Sequence, residues 1–328
     1  MTMADSARRL VSFVVPVRDD AVRLERCLTS IRRSAYPPEL VEIVVADNGS
    51  TDRSADVGRG HGAIVLELPG KRLGALRNAA AAAARGDVLA FVDADHEIVP
   101  GWIAAATRAL ENPDVAAVGA ACVPPVPATW VQRLYDRLRS HPSRIEPVEW
   151  LGTGNMAVKR TAFDAVAGFD TTLETCEDVD LCRKLRGRGL TLLADPELGN
   201  IHYGDPRTLK HVFFGELWRG RDNVRVSFRA PRSARTITSA VIPVVHLLLL
   251  LTTVAGVLSF QRIGYAIAGL ALFLFVASIL ARTLRMNVGL PEWPRAVAVA
   301  TAYELGRTFA VTGWSPYRLR RKAAAADA

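Results

Sequence analysis

Cysteine is scarce: only Cys27, Cys122, Cys176 and Cys182 occur among 328 residues. No pair has the spacing of a zinc knuckle, and so few thiols exclude a disulfide-stapled scaffold; buried, unpaired thiols are expected. Residues 1–9 hold no apolar run, so no cleavable signal is expected. No internal repeat recurs, and low complexity is confined to the alanine stretches 79–84 and 323–326. Charge is missing from two long runs, 237–260 apart from His246, and 263–281. At ~1.5 Å per residue each can cross a ~30 Å hydrocarbon core. The connector Gln261-Arg262 allows only a tight turn, which predicts a membrane hairpin. Neither span carries an acid or a strong base inside, which disfavours a channel or transporter.

The charges that are present have a pattern. Arg219, Arg221, Arg225, Arg229, Arg232 and Arg235 precede the first span, Arg282 and Arg285 follow the second, and the connector has only Arg262. Positive residues stay on the cytoplasmic side, so both termini and the N-terminal domain are expected in the cytoplasm, at the inner membrane. This collar, with a basic tail at Arg318, Arg320, Arg321 and Lys322, accounts for the net charge of +8. No nucleic-acid motif accompanies it, so the membrane, and not nucleic acid, is the expected partner.

The N-terminal portion alternates strand-like and helix-like segments. Apolar runs at 11–17, 41–46, 64–66 and 88–92 read as strands, and Leu24, Cys27, Leu28 and Ile31 recur at helical spacing. An alanine-rich helix is expected over 72–84. This βαβα order predicts an α/β fold, a mostly parallel sheet covered by helices. Further strand signals lie at 115–123, 152–159 and 190–194. An amphipathic helix over 206–228 is expected to run straight into the first span, and another helix covers 296–308. Three domains follow: 1–235, a hairpin at 236–282, and 283–328.

Chemistry gathers at the strand ends. The run 88–92 ends in Asp93-Ala94-Asp95, 11–17 ends before Asp19-Asp20, and 41–46 ends at Asp47. Parallel strands deliver all of these to one sheet edge, where open α/β sheets bind ligands. Converging carboxylates repel unless a cation or hydrogen-bond donors intervene. Mg2+ or Mn2+ with phosphate oxygens satisfies them, which points to a metal-held nucleotide diphosphate. A second acidic cluster, Thr175-Cys176-Glu177-Asp178, has the spacing of a helix cap with Asp178 reaching back.

On Val14-Val15-Pro16-Val17-Arg18-Asp19, Ala46-Asp47-Asn48-Gly49-Ser50-Thr51-Asp52, the stretch 74–95 and Glu177-Asp178-Val179-Asp180-Leu181, residues 12–225 resemble the family 2 glycosyltransferases of GT-A fold. The resemblance implies a metal-dependent, inverting transfer from a nucleotide-sugar donor, a UDP-sugar in most members, to a lipid-linked or cell-surface glycan acceptor. It assigns Pro16, Asp19, Asp20, Asp47, Arg77 and Asp93 to the nucleotide. Asp95, Asp93 and His202 would hold Mg2+ or Mn2+. Asp178 would be the general base, with Glu177 as the substitute. Trp218, Arg219 and Arg221 would serve the acceptor or the diphosphate, or anchor the protein at the membrane surface. The chain departs from the common pattern at Val17-Arg18, where many members have Thr-Tyr.

Two other readings compete. Gly152-Thr153-Gly154-Asn155-Met156-Ala157 formally fits a dinucleotide fingerprint, but a strand is expected over 156–159 where that motif needs a helix. A degenerate, membrane-tethered nucleotide-binding module would also keep the fold; retention of Asp95, Glu177 and Asp178 argues against it.

Overall fold

A computed structural model of the protein describes residues 9–139 and 142–314. Residues 1–8, the basic tail at Arg318, Arg320, Arg321 and Lys322, and the alanines 323–326 lie outside the described residues. By packing, the chain forms two compact units, 9–126 with 142–205, and 127–139 with 206–314. This packing boundary falls at 205/206, earlier than the expected functional boundary at 235.

The first unit begins with β1 (Val11–Val17), α1 (Ala21–Arg32), β2 (Val41–Asp47), α2 (Ser54–Gly60), β3 (Ile64–Glu67), α3 (Leu73–Ala83) and β4 (Val88–Val92). Then come β5 (His96–Ile98), α4 (Trp102–Ala109) and β6 (Val115–Gly119). After α5 (Trp130–Asp136), which belongs to the second unit, the first resumes with β7 (Glu146–Pro147), β8 (Asn155–Lys159), α6 (Arg160–Ala165), α7 (Glu177–Arg186), β9 (Thr191–Ala194) and β10 (Asn200–His202).

Eight strands form one sheet in the order β3-β2-β1-β4-β8-β6-β9-β7, and β5 pairs with β10 separately. β3, β2, β1 and β4 are mutually parallel, whereas β8 runs antiparallel to both its neighbours. The expected mostly parallel sheet is therefore present. Every residue of β1, β2 and β4 is buried, which is why these strands read as unbroken apolar runs and not as alternation. Their two-residue period still sorts side chains to opposite faces. Phe13 and Val15 meet Leu24 and Leu28 of α1 and Trp102 of α4 on one face. Val14, Val44 and Phe91 meet Leu76 and Ala80 of α3 and Leu181 of α7 on the other. Each buried Val, Leu or Phe among them stabilises the fold by about 1.5–3 kcal/mol. Strand addition reverses direction between β1 and β4, so a crevice opens at their C-terminal ends. The strand expected over 115–123 stops at Gly119, where a Cβ would stand 2.4 Å from the Asn155 carbonyl oxygen.

The second unit holds α5, α8 (Leu209–Arg219), α9 (Asn223–Ser227), α10 (Ala234–Leu258), α11 (Arg262–Arg285) and α12 (Trp293–Ala310). The single helix expected over 206–228 is thus two helices, and residues 228–233 are not helical. Thr208 caps α8 by accepting the His211 N–H, and the chain turns at Gly220. A Cβ on Gly220 would stand 2.6 Å from Ala310 Cβ, and one on Gly306 would stand 2.5 Å from the Phe213 carbonyl oxygen. These glycines let α8 and α12 touch backbone to side chain. Buried Glu216 between them takes hydrogen bonds from Tyr135 at 2.7 Å and from Arg219 at 3.3 Å, with Arg307 at 3.4 Å. Ser233 and Thr236 form a capping box that starts α10. Helices α10 and α11 are each long and apolar enough to cross a membrane, with a mean hydropathy of 2.4. His246 of α10 is hydrogen-bonded to Ser278 of α11 at 2.7 Å, and Arg282 of α11 pairs with Glu304 of α12.

Candidate active site

The loops after β1 and β2 are stapled to each other at the sheet's C-terminal edge. Asp19, in the left-handed region at φ +51°, accepts hydrogen bonds from the Thr51 N–H at 2.7 Å and the Thr51 hydroxyl at 3.0 Å. These bonds hold its carboxyl below the usual range. Asp52 returns the favour by accepting the Ala21 N–H at 2.9 Å. Asp20 pairs with Arg23 at 2.7 Å. Asp47 is buried and accepts the Ser50 N–H at 2.7 Å. Pro16 is buried in β1 opposite Ala46, one residue from the edge.

Just beyond β4, three side chains converge. The ligating atoms of Asp95, His96 and His202 lie within 4.8 Å of one another, with His202 Nε2 3.3 Å and His96 Nε2 3.6 Å from the Asp95 carboxylate. The β5–β10 register sets His202 directly opposite His96, and their rings stack with centroids 4.3 Å apart. Each ring is oriented from behind. His202 Nδ1 lies 2.8 Å from Asp205, and His96 Nδ1 lies 2.7 Å from Asn200 Oδ1. With each Nδ1 turned to its oxygen, both Nε2 atoms face Asp95, the orientation that second-sphere carboxylates and amides impose on metal-binding histidines, and a bound cation would take the place of the Nε2 proton of His202.

Burial disfavours charge on His202, but hydrogen bonds to Asp205 and Asp95 override it and raise the ring to about 9. His96 is lowered by burial and by neighbouring His202. Asp95 stays well below the carboxylate range despite its burial, held by His202, His96 and Arg23.

The donor set and the space beside it fit a divalent ion. A Cβ at Gly204 would stand 1.9 Å from Asp95 Oδ2 and 2.7 Å from His202 Nε2. One at Gly154 would stand 2.9 Å from His96 Nε2 and 3.2 Å from Asp93 Oδ2. Two side-chain-free positions therefore border the cluster, and Gly154 serves this close approach, since β8 follows it where a dinucleotide motif needs a helix. His96 is a candidate donor that sequence alone does not reveal; its cross-strand pairing with His202, about a hundred residues away, leaves no local mark. Asp93, expected as a ligand, lies beside this triad and not in it.

Asp93 instead takes part in a buried clamp. Arg77, on α3 and 1% exposed, donates from Nη2 to Asp93 at 2.6 Å and from Nη1 to Glu177 at 2.5 Å. Both terminal nitrogens are thus committed to carboxylates, so Arg77 ties the end of β4 to the start of α7. The N-cap position of α7 falls on Cys176, one residue after Thr175, in the left-handed region at φ +59°. The Asp178 carboxylate accepts the N–H of its neighbour Val179 at 2.8 Å. Burial, with the adjacent Glu177 carboxylate, pushes Asp178 up to about 7.

Trp218, Arg219 and Arg221 fall in the second unit. Arg219 bonds Glu216 and Tyr135 there, while Trp218 is exposed. None of the four cysteines is in a disulfide; Cys27 and Cys182 are buried, and Cys122 and Cys176 are half-buried.

This sheet, with its acidic switch-point edge, is a GT-A fold. It resembles the mannosyltransferase PcManGT from Pyrobaculum calidifontis, solved in complex with GDP-Man and Mn2+, with a TM-score of 0.61 and 18% identity over 92% of this chain and 88% of that one. The sequence model described as "Glycosyl transferase family 2" matches residues 12–165; the chain carries a glycosyltransferase family 2 domain. It is 32% identical over 203 residues to the pre-mycofactocin glycosyltransferase of Mycobacterium tuberculosis, an alignment covering 58% of this chain and 42% of that protein. It is 27% identical over 251 residues to the validoxylamine A glucosyltransferase of Streptomyces hygroscopicus subsp. limoneus, covering 63% of this chain and 54% of that one. The chain therefore spans about half the length of these two relatives.

Proposed function

We propose that the protein is a metal-dependent, inverting glycosyltransferase that moves a sugar from a nucleotide-sugar donor, a UDP-sugar first among candidates, to a lipid-linked or cell-surface glycan acceptor. The observation that carries this reading is the Arg77 clamp. It fixes the helix start bearing Asp178 to the strand end that leads into the Asp95, His96 and His202 cluster. A proton acceptor and a cation site are thereby held on one rigid frame.

Asp95, His96 and His202 hold the ion in this reading. A bound divalent ion supplies positive charge against the departing diphosphate. Two of the three donors are imidazole nitrogens, which favours Mn2+ over oxygen-seeking Mg2+. Pro16, Asp19, Asp20 and Asp47 line the nucleoside side of the edge. Asp178 takes the acceptor hydroxyl proton as that oxygen bonds the anomeric carbon and the bond to the diphosphate breaks. A carboxylate raised to about 7 is basic enough to accept that proton while about half of it is ionised at neutral pH. Glu177 and Arg77 position Asp178 and do not touch substrate. Trp218 and Arg221 are assigned to the acceptor or membrane side.

The membrane part of the reading places α10 and α11 as a hairpin in the inner membrane, with the catalytic unit and both termini cytoplasmic. Its basis is the arginine collar and the positive-inside rule. Calorimetry of UDP and GDP binding with and without Mn2+ tests the donor site. Binding that strengthens with Mn2+ supports the reading, and absence of binding to either nucleotide removes it.

A further inference from the structure

Between the β7 edge and the turn into β8 stands one large aromatic ring that the fold leaves in solvent. Trp150 is 42% exposed, yet the backbone on both sides of it is fixed. The Val148 N–H donates to the Leu192 carbonyl at 2.9 Å, and Arg186 donates to the Glu149 carbonyl at 3.4 Å. Leu151 is buried, and its N–H donates to Cys182 Sγ at 3.3 Å. A single exposed apolar residue is ordinary on a protein surface. Here its neighbour matters. The position a Gly152 Cβ would take lies 3.9 Å from Trp150 Cζ3 and 4.0 Å from Asp178 Oδ2. Gly152 is not among the glycines with positive φ, so its backbone does not require glycine. The edge of the Trp150 ring and the Asp178 carboxylate therefore border the same methyl-sized gap above Gly152.

A group seated over that gap meets the apolar indole on one side and the proposed proton acceptor on the other. A pyranose matches both, with a C–H face for the indole and a hydroxyl for Asp178. A bare lipid phosphate matches neither: it offers the ring no apolar face, and its negative charge is repelled by Glu177 and Asp178. We infer that Trp150 is the acceptor platform and that the acceptor's reacting end is a sugar ring, whether or not a lipid carries it. This rests on Asp178 as the base of a glycosyl transfer. An anchored ring also loses little freedom on binding, which favours its use as a docking face.

The test uses full-length protein in detergent, with methyl pyranosides of gluco, galacto and manno configuration and polyprenyl monophosphate as acceptor probes. Trp150→Ala should raise the KM for the accepted pyranoside about 10–100-fold, with Trp150→Phe close to wild type, as loss and retention of one stacking contact require. Hydrolysis of the donor should stay within about twofold in both variants, because Trp150 lies on the acceptor side. Gly152→Ala, whose methyl meets only ordinary contacts, should fold normally and raise the same KM. Acrylamide quenching of tryptophan fluorescence should be relieved by the pyranoside in wild type and not in Trp150→Phe. Unchanged pyranoside KM in Trp150→Ala, with donor hydrolysis intact, overturns the platform alone. Transfer only to polyprenyl monophosphate overturns the sugar acceptor. Absence of donor hydrolysis in wild type overturns both this and the transferase reading.

Discussion

Replacing Asp178 by Asn separates catalysis from helix capping. The substitution keeps shape and the hydrogen bond from Val179, but it removes the basic oxygen. General base catalysis contributes about 10²–10⁴-fold, so the transfer rate should fall by that factor, equivalent to roughly 2.7–5.4 kcal/mol in the barrier. UDP affinity should stay near wild type. In wild type the rate should rise with pH through about 7, the value to which burial and Glu177 push this carboxyl; the variant should lose that limb. Stability has the opposite sign. A carboxyl raised in the folded state above its unfolded value of 3.8 contributes stability that is fully present below that value and lost as pH rises through about 7. At pH 8 the variant should therefore unfold at a temperature equal to or above wild type. Transfer kinetics, nucleotide calorimetry and thermal unfolding at pH 5 and 8 read all three. A variant with near-normal rate but a lowered unfolding temperature at pH 8 would refute the base assignment and leave a structural role.

Three further outcomes follow from the site. Asp95→Asn should lose Mn2+-dependent nucleotide binding and transfer while unfolding as wild type does; full Mn2+-dependent activity would remove Asp95 from the metal site. Gly204→Ala places a methyl where Asp95 Oδ2 stands 1.9 Å away, so Mn2+ affinity measured by electron paramagnetic resonance should fall about 10–100-fold, as when a supporting contact to a ligand is disturbed. Arg77→Met strands two carboxylates without their cation and should destabilise the fold by about 3–5 kcal/mol, read by denaturant unfolding; a change below about 1 kcal/mol would show that the clamp is not buried as described.

Much of the fold was legible because its causes are local. Strands β1, β2 and β4 are buried on both faces and so appear as unbroken apolar runs. The pair α10 and α11 declares itself by length and missing charge. The convergence of Asp19, Asp47 and Asp93 followed from strand order alone. What was not legible depends on partners far along the chain. His96 joins the cluster only because β5 pairs with β10, and Arg77 meets Glu177 across a hundred residues. The helix over 206–228 breaks at Gly220 because α12 presses against it, a contact no window of sequence contains. Segment 127–139 belongs to the second unit because Val131, Leu134 and Tyr135 pack with Val212 and Val299. The spacing rule put the start of α7 one residue early, because the backbone turns left-handed at Cys176 and the helix begins after it.

Cleavage of a nucleotide sugar at this edge, with the help of a divalent ion, is the activity we propose. Purified full-length protein, incubated with a panel of UDP- and GDP-sugars in Mn2+, in Mg2+ and in chelator, tests it by the nucleoside diphosphate released. Release is expected from at least one donor, fastest in Mn2+, slower in Mg2+ and absent in chelator. Tight nucleotide binding with no release from any donor would contradict it and leave a nucleotide-binding module without catalysis.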